Sequence, residues 1–192
     1  MTKEIETFYP QSRAAWRQWL EENHESKQFI WLVYYTKKSN IPSLSWREAV
    51  DEALCFGWID STRKKVNDSS SIQYFSKRKP KSIWSKINKE IVQTLIDNNQ
   101  MTKAGFESIA IAKENGSWII LDEVEELIIP KELEIAFTKH SGSKDYFLSL
   151  SKSTRKIILS WIALAKRQET KEKRINQIVE SMEKKQLPPH MR

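Results

Sequence analysis

Cysteine is almost missing: among 192 residues there is one, Cys55. A single thiol cannot close an internal disulfide, and with only His24, His140 and His190 beside it a Cys/His zinc site is excluded. Glycine and proline are scarce, at 4 and 6 residues, which excludes collagen-like, linker-like and most all-β architectures. No apolar run approaches the roughly 18 residues that cross a bilayer, and the longest, Phe29–Tyr35, is strand-sized. The N-terminal Met-Thr-Lys-Glu-Ile-Glu carries acids and no apolar region, so no secretory signal is expected, and a cytoplasmic location with a reduced thiol is. A glycine-rich phosphate loop, a G-x-S-x-G elbow, an H-E-x-x-H pair, a basic zipper and a zinc finger are absent. No cofactor and no metal are predicted.

What is present is a core's worth of apolar residues, 39%, with eight tryptophans, in a chain of net charge +7 (32 basic against 25 acidic side chains). That composition excludes wholesale disorder, and the length fits one domain or two small lobes. Ser12 is placed to cap a helix to His24 bearing Trp16, Trp19 and Leu20 on one stripe. Phe29–Tyr35 reads as a strand covered on both faces, because it is continuously apolar. Ser45 opens a helix to Phe56 with Trp46, Ala49, Val50, Ala53 and Gly57 on one face. Trp58–Val66 and Ile72–Lys77 flank the turn-forming Asn67-Asp68-Ser69-Ser70 and predict a β-hairpin.

Beyond Pro80 the period becomes helical. Ser82 or Ser85 caps a helix with Trp84 at its start and Ile87, Ile91 and Leu95 inward. Thr102 caps another with Phe106, Ile109 and Ala110 inward, ending at Asn115-Gly116. Pro130, Ser143, Ser153 and Thr170 open four more, the last two carrying Ile157, Ile158, Trp161 and Ile162, and Ile175, Ile178, Val179 and Met182. The expected fold is α+β: a small three-stranded sheet with N-terminal helices, followed by a helical C-terminal half. The divisions expected are 1–125, 126–188 and a frayed tail from 189 to 192, with one core shared between the halves as an alternative.

Charge is segregated. Residues 61–89 hold nine bases (Arg63, Lys64, Lys65, Lys77, Arg78, Lys79, Lys81, Lys86, Lys89) and one acid, Asp68. Residues 119–136 hold six acids and Lys131, and residues 152–174 hold eight bases against Glu169 and Glu172. The basic hairpin and the helix start behind it predict an anion site, because Lys and Arg neutralise phosphate while helix-start N–H groups donate to it. Lysines that keep an exposed hairpin soluble are the simpler reading. Tyr74 and Phe75 beside Lys77–Lys79 resemble a stacking and phosphate surface for a single nucleic acid strand.

Individual residues divide similarly. Cys55 faces Glu48, Asp51 and Glu52 on its helix; carboxylates oppose thiolate formation, so a packing role is expected rather than a nucleophile. His24 sits where a helix C-terminus welcomes a cation. Asp60 leads into the basic hairpin and can pair with Arg63, Lys77 or Arg78, or orient a ligand. Asp122, Glu123, Glu125 and Glu126 lack the spacing of a calcium loop and read as a solvated face.

Several motifs occur together: Asn23-His24, Trp31-Leu-Val33, Ala53-Leu-Cys-Phe-Gly-Trp-Ile-Asp-Ser61, Arg78-Lys-Pro-Lys-Ser-Ile-Trp-Ser-Lys-Ile-Asn88, Met101-Thr-Lys-Ala-Gly105, Gly116-Ser-Trp118 and Trp161–Ile175. In this order they resemble the YdeI/OmpD-associated (OmdA) family of bacteriocin-protection proteins, over nearly the whole chain. About 130–188 matches the segment that gives the family its name. The resemblance implies envelope stress, protection against bacteriocins or cationic peptides, and association with a porin; it brings no catalytic residues or cofactor. A +7 chain repels cationic peptides at long range, so simple electrostatic sequestration is not the expected mechanism.

The leading expectation is a non-enzymatic protein binding an anionic ligand, such as a phosphate-bearing small molecule, through Trp58, Asp60, Arg78, Ser82, Trp84, Ser85 and Asn88, with Lys166 and Arg167 contributing from the helical half. Alternatives are an enzyme with a pocket around Asp60, Arg78, Ser85 and Asn88, and a partner-binding module presenting Ile175, Ile178 and Met182.

Overall fold

In the computed structural model, residues 6–191 are described; residues 1–5, part of the stretch read for a secretory signal, and Arg192 of the expected tail lie outside them. The chain divides into two compact units, one running to Ser82 and joined by Ile87–Ser117, the other made of Ile83–Lys86 and the chain from Trp118 on.

The first unit is built on a sheet. β1 (Thr7–Phe8) pairs parallel with β2 (Phe29–Tyr35), β2 pairs antiparallel with β4 (Ser70–Lys77), and β4 with β3 (Trp58–Lys65), giving the order β1-β2-β4-β3. The sheet thus has four strands where the sequence predicts three. β1 is two residues long and ends two residues before Pro10, too short to show any alternation. β2 occupies the predicted residues, but its burial alternates: Ile30, Leu32 and Tyr34 are buried and Phe29 is exposed. Helices cover one face of this strand, not both. Burial of the Tyr34 hydroxyl holds its pKa well above the usual phenolic range.

α1 (Arg13–Asn23) starts at Ser12, whose Oγ accepts from the Ala15 N–H at 3.2 Å. α2 (Trp46–Cys55) starts at Ser45 with a reciprocal capping box to Glu48. The two helices cross with Trp16 Nε1 donating to the Ala49 carbonyl at 3.0 Å. Trp16 is the centre of an aromatic cluster, its ring 5.6 Å from Phe75 and 5.2 Å from Trp19; Trp19 in turn meets Trp58 edge-on at 5.8 Å and Phe8 at 5.7 Å. Glu52, 2% exposed, is the buried acid among the described residues of this unit. It accepts from Arg13 Nε at 2.5 Å and Arg17 Nη1 at 2.8 Å, which offsets the cost of taking its charge out of water. Trp46, expected inward, is 44% exposed and donates through Nε1 to Asp60.

α3 (Lys86–Asp97) buries Ile91, Val92 and Leu95, while Ile87, expected inward, is exposed. α4 (Lys103–Glu114) is capped by Thr102 as predicted, but it buries Gly105, Ile109 and Ala112 and exposes Phe106 and Ala110. Its face is set by backbone approach rather than by the largest apolar residues. Thr102 Oγ1 donates to the Cys55 carbonyl at 2.6 Å, and a Cβ on Gly105 would lie 2.3 Å from that same oxygen. Only glycine allows this packing.

The second unit is helical: α5 (Asp122–Glu125), α6 (Lys131–Phe137), α7 (Ser143–Ser149), α8 (Lys152–Ala163) and α9 (Gln168–Glu183). α9 packs on α6, α7 and α8, and α8 on α5, around Leu133, Phe137, Phe147, Ile158, Ile162, Ile178 and Val179. Trp84 is buried and its ring lies 4.9 Å from that of Trp118. Three starts move from their predicted positions. Gly142, at φ 71°, precedes α7, with the Ser143 hydroxyl donating to the His140 carbonyl; Ser151 caps α8 rather than Ser153; and the N-cap position of α9 is Arg167 rather than Thr170. At the C-terminus a 3₁₀ turn, Pro189–Met191, brings Met191 against the core where a frayed tail was expected.

Gly105→Ala should destabilise the first unit by about 1–3 kcal/mol, the range for forcing an extra methyl into packed structure. Urea unfolding should show a lower midpoint, with the loss toward the upper end of that range and so above the about 1 kcal/mol expected for Ala110→Gly on the exposed side of the same helix.

Candidate functional site

Within the first unit, the end of α2 turns directly into β3. Gly57 makes this turn at φ 70°, and a Cβ there would meet the Ala104 carbonyl at 2.9 Å. Opposite, the end of β4 runs alongside: the Arg78 N–H donates to the Gly57 carbonyl at 2.9 Å, and Trp58 pairs with Lys77. Between this seam and α4 lies a cleft of about 250 Å³. Phe56, Gly57 and Trp58 line it, with Lys77, Arg78, Lys79 and Pro80 on one side, Ala104, Glu107, Ser108 and Ile111 on α4, and His24 and Glu25 at the end of α1.

Three consecutive cations therefore face a partly apolar hollow. Burial lowers the Arg78 pKa to about 10, and the charge of Asp60 acts against that shift. The guanidinium remains a cation at neutral pH. Lys77 Nζ donates to the Glu25 carbonyl at 2.6 Å. His24 takes the helix-end role expected of it: its Nδ1 lies 2.8 Å from the Leu20 carbonyl, its backbone N–H bonds the same oxygen, and its ring is 5.1 Å from Phe56.

The predicted site residues separate. Trp58 and Arg78 line the cleft. Asp60 does not; its Oδ2 accepts from Trp46 Nε1 at 2.8 Å and Gln73 Nε2 at 2.6 Å, and its charge acts on the Arg78 guanidinium. Ser82 closes a turn through its N–H to the Lys79 carbonyl at 2.8 Å, and Asn88 stands in the first turn of α3, neither lining the cleft. Trp84 and Ser85 belong to the second unit, as do Lys166 and Arg167, which are exposed where the chain enters α9. Ile175, Ile178 and Met182, proposed from sequence as a partner surface, are core residues, 4%, 0% and 0% exposed. The wall that sequence reasoning missed is Ala104, Glu107, Ser108 and Ile111. The signal was Gly105 three residues after the Thr102 cap, a small residue that marks the contact face of α4.

Residues 8–108 match the family model DUF8412, a domain of unknown function, which covers more than half of the chain. Residues 126–185 match the model described as "Bacteriocin-protection, YdeI or OmpD-Associated", OmdA. The chain is a DUF8412-family protein with an OmdA domain. The cleft lies in the DUF8412 match, except for its far α4 residue Ile111, and α6 to α9 fall within or begin in the OmdA match. No curated protein and no solved structure matches the chain. Among the described residues no helix is long and apolar enough to cross a membrane, and no group of three His, Cys, Asp or Glu side chains is placed to hold a metal ion.

Cys55 is fully buried, and burial together with the Glu52 charge pushes its thiol from 9.0 up to about 11. The native protein should therefore fail to react with Ellman's reagent at pH 8 and react once in denaturant. Because the folded thiol holds its proton more tightly than the unfolded one, this group's stabilisation is complete below about pH 9 and is lost as pH rises toward 11. Cys55→Ala should flatten the fall in melting temperature across that window.

Proposed function

We propose that this protein is a non-enzymatic binding protein for a small anionic ligand, received in the cleft beside Arg78. The setting is the bacteriocin protection that the OmdA description names. The observation that carries the reading is the succession Lys77, Arg78, Lys79 along one wall of a hollow floored by Phe56 and Trp58. Cations in a concave, partly dehydrated place attract an anion more strongly than the same cations on an open surface. The volume, about 250 Å³, is below the usual range of roughly 300–1,000 Å³ for drug-sized ligands, so a compact anion with a small apolar part fits best. Binding would also relieve the cost of burying Arg78, and would raise its pKa from about 10.

Binding rather than catalysis is supported by Asp60, whose carboxylate is committed to Trp46 and Gln73 instead of facing the cleft. The Ser108 hydroxyl likewise donates to the Gly105 carbonyl at 2.9 Å.

A thermal-shift series with phosphate, pyrophosphate, sugar phosphates and nucleotides, held at constant ionic strength with chloride, tests the reading. A ligand at about 100 times its Kd stabilises the native state by about 2.7 kcal/mol, a rise of several degrees. Ile111 lines the cleft and is 41% exposed, so Ile111→Glu should leave the unliganded melting temperature nearly unchanged and abolish the shift. Lys79→Glu should do the same. No shift with any of these anions, or an equal shift in both variants, contradicts the proposal.

A further inference from the structure

The sheet of the first unit carries a second surface, on the side opposite Trp16 and Phe75. Cross-strand register puts Phe29, Trp31, Val33 and Tyr35 of β2 on this face, opposite Ser76, Tyr74, Ile72 and Ser70 of β4. Three aromatic rings form a continuous platform there: Phe29 stacks on Tyr74 at 5.3 Å and 23°, and Trp31 meets Tyr74 edge-on at 5.2 Å. Phe29 is 42% exposed, and Trp31 and Tyr74 are half-buried. Cations border the platform at both ends. Lys64 Nζ lies 4.8 Å from the Trp31 ring centre. At the other end Lys77, Arg78 and Lys79, with Phe29, Tyr74, Ser61 and Ser76, surround a hollow of about 590 Å³. The three longer strands contain a single acid, Asp60, and it is turned to the opposite face by its bonds to Trp46 and Gln73.

We propose that this face binds single-stranded nucleic acid, with bases stacked on Phe29, Tyr74 and Trp31 and the phosphate backbone running between Lys64 and Arg78–Lys79 just past the end of β4. Lys64 pairs with Ile72, five residues before Lys77 on β4, a separation of about 16 Å at strand rise. Two or three unstacked bases fill such a span, as on other sheet platforms that read single strands. Charge complementarity selects this occupant. An apolar protein partner would bury the bordering lysines at a cost, whereas a polyanion with exposed π-faces uses both the rings and the cations. A duplex keeps its bases stacked inside and offers the platform nothing but phosphates.

The two hollows share Lys77–Pro80, but Phe29, Trp31 and Tyr74 do not line the cleft, and Ile111 does not line the platform hollow.

Fluorescence anisotropy with labelled twelve-nucleotide strands of oligo-dT and oligo-U, against a duplex of equal length, tests it on the full chain. Single strands should bind at least tenfold more tightly than the duplex at about 50 mM salt. Phe29→Leu with Tyr74→Leu keeps the apolar area, so the melting temperature should hold, and removes two stacking planes. It should weaken single-strand binding by roughly tenfold or more, given ~5- to 150-fold per stacked base. Lys64→Glu should weaken binding and lower the salt slope by about one. Ile111→Glu should bind strands like the wild type. Equal affinity for duplex, no binding at low salt, unchanged affinity in the folded double variant, or a self-association that the double variant abolishes would overturn the proposal.

Discussion

The first unit depends on one close approach, the seating of α4 on the carbonyl of Cys55. Thr102 Oγ1 and the Thr102 N–H both donate to that oxygen, at 2.6 and 3.2 Å, and the missing side chain of Gly105 lets the helix backbone come down on it. The same contact satisfies a carbonyl at the end of α2 that the helix cannot satisfy internally. Because Gly57 also approaches α4, where a Cβ would lie 2.9 Å from the Ala104 carbonyl, α4 is held beside the turn into β3, and its residues 104, 107, 108 and 111 become one wall of the cleft. The site therefore follows from helix packing, and its cations are brought in separately by β4.

Electrostatics then distribute the roles of the basic segment. The nine bases of residues 61–89 are not one patch. Arg63 is held by Ser71 and lies over the Tyr34 ring, Lys65 pairs with Asp68 at the hairpin tip, and Lys64 sits over Trp31. Exposed pairs of this kind contribute little to stability. Lys77, Arg78 and Lys79 differ because they border hollows. In the second unit Glu125, Glu132 and Glu134 of the acidic segment pair with Lys156, Lys171 and Lys144, so much of the opposite charge seen along the chain is brought together across helices.

What the sequence made legible follows the strength of each local signal. Phe29–Tyr35 is a run of aromatic and β-branched residues with one Leu, and its bounds were readable to the residue; which face is covered was not, since continuous apolarity carries no alternation. Ser12 and Thr102 were readable as caps because each stands alone before an apolar stripe, and Ser45 because Glu48 three residues on completes a capping box. Ser151 and Ser153 compete two residues apart, and periodicity does not choose between them. The site was half legible. Trp58 and Arg78 stood in motifs, but the α4 wall was hidden because large apolar residues, Phe106 above all, suggested a face that glycine overrides. Asp60 drew attention as a charged residue among bases, yet two of its donors, Trp46 and Gln73, are neutral and distant in sequence.

The central claim is that an anion enters beside Arg78. The most direct measurement is a two-dimensional ¹⁵N–¹H titration of the labelled protein with pyrophosphate at constant ionic strength. The account predicts saturable shifts of the Gly57, Arg78, Lys79 and Ser108 amides and the Trp58 indole, with the amides of α6 to α9 unmoved. Saturable shifts confined to the lysine-rich entry to α9, or no saturable shift anywhere, would contradict it.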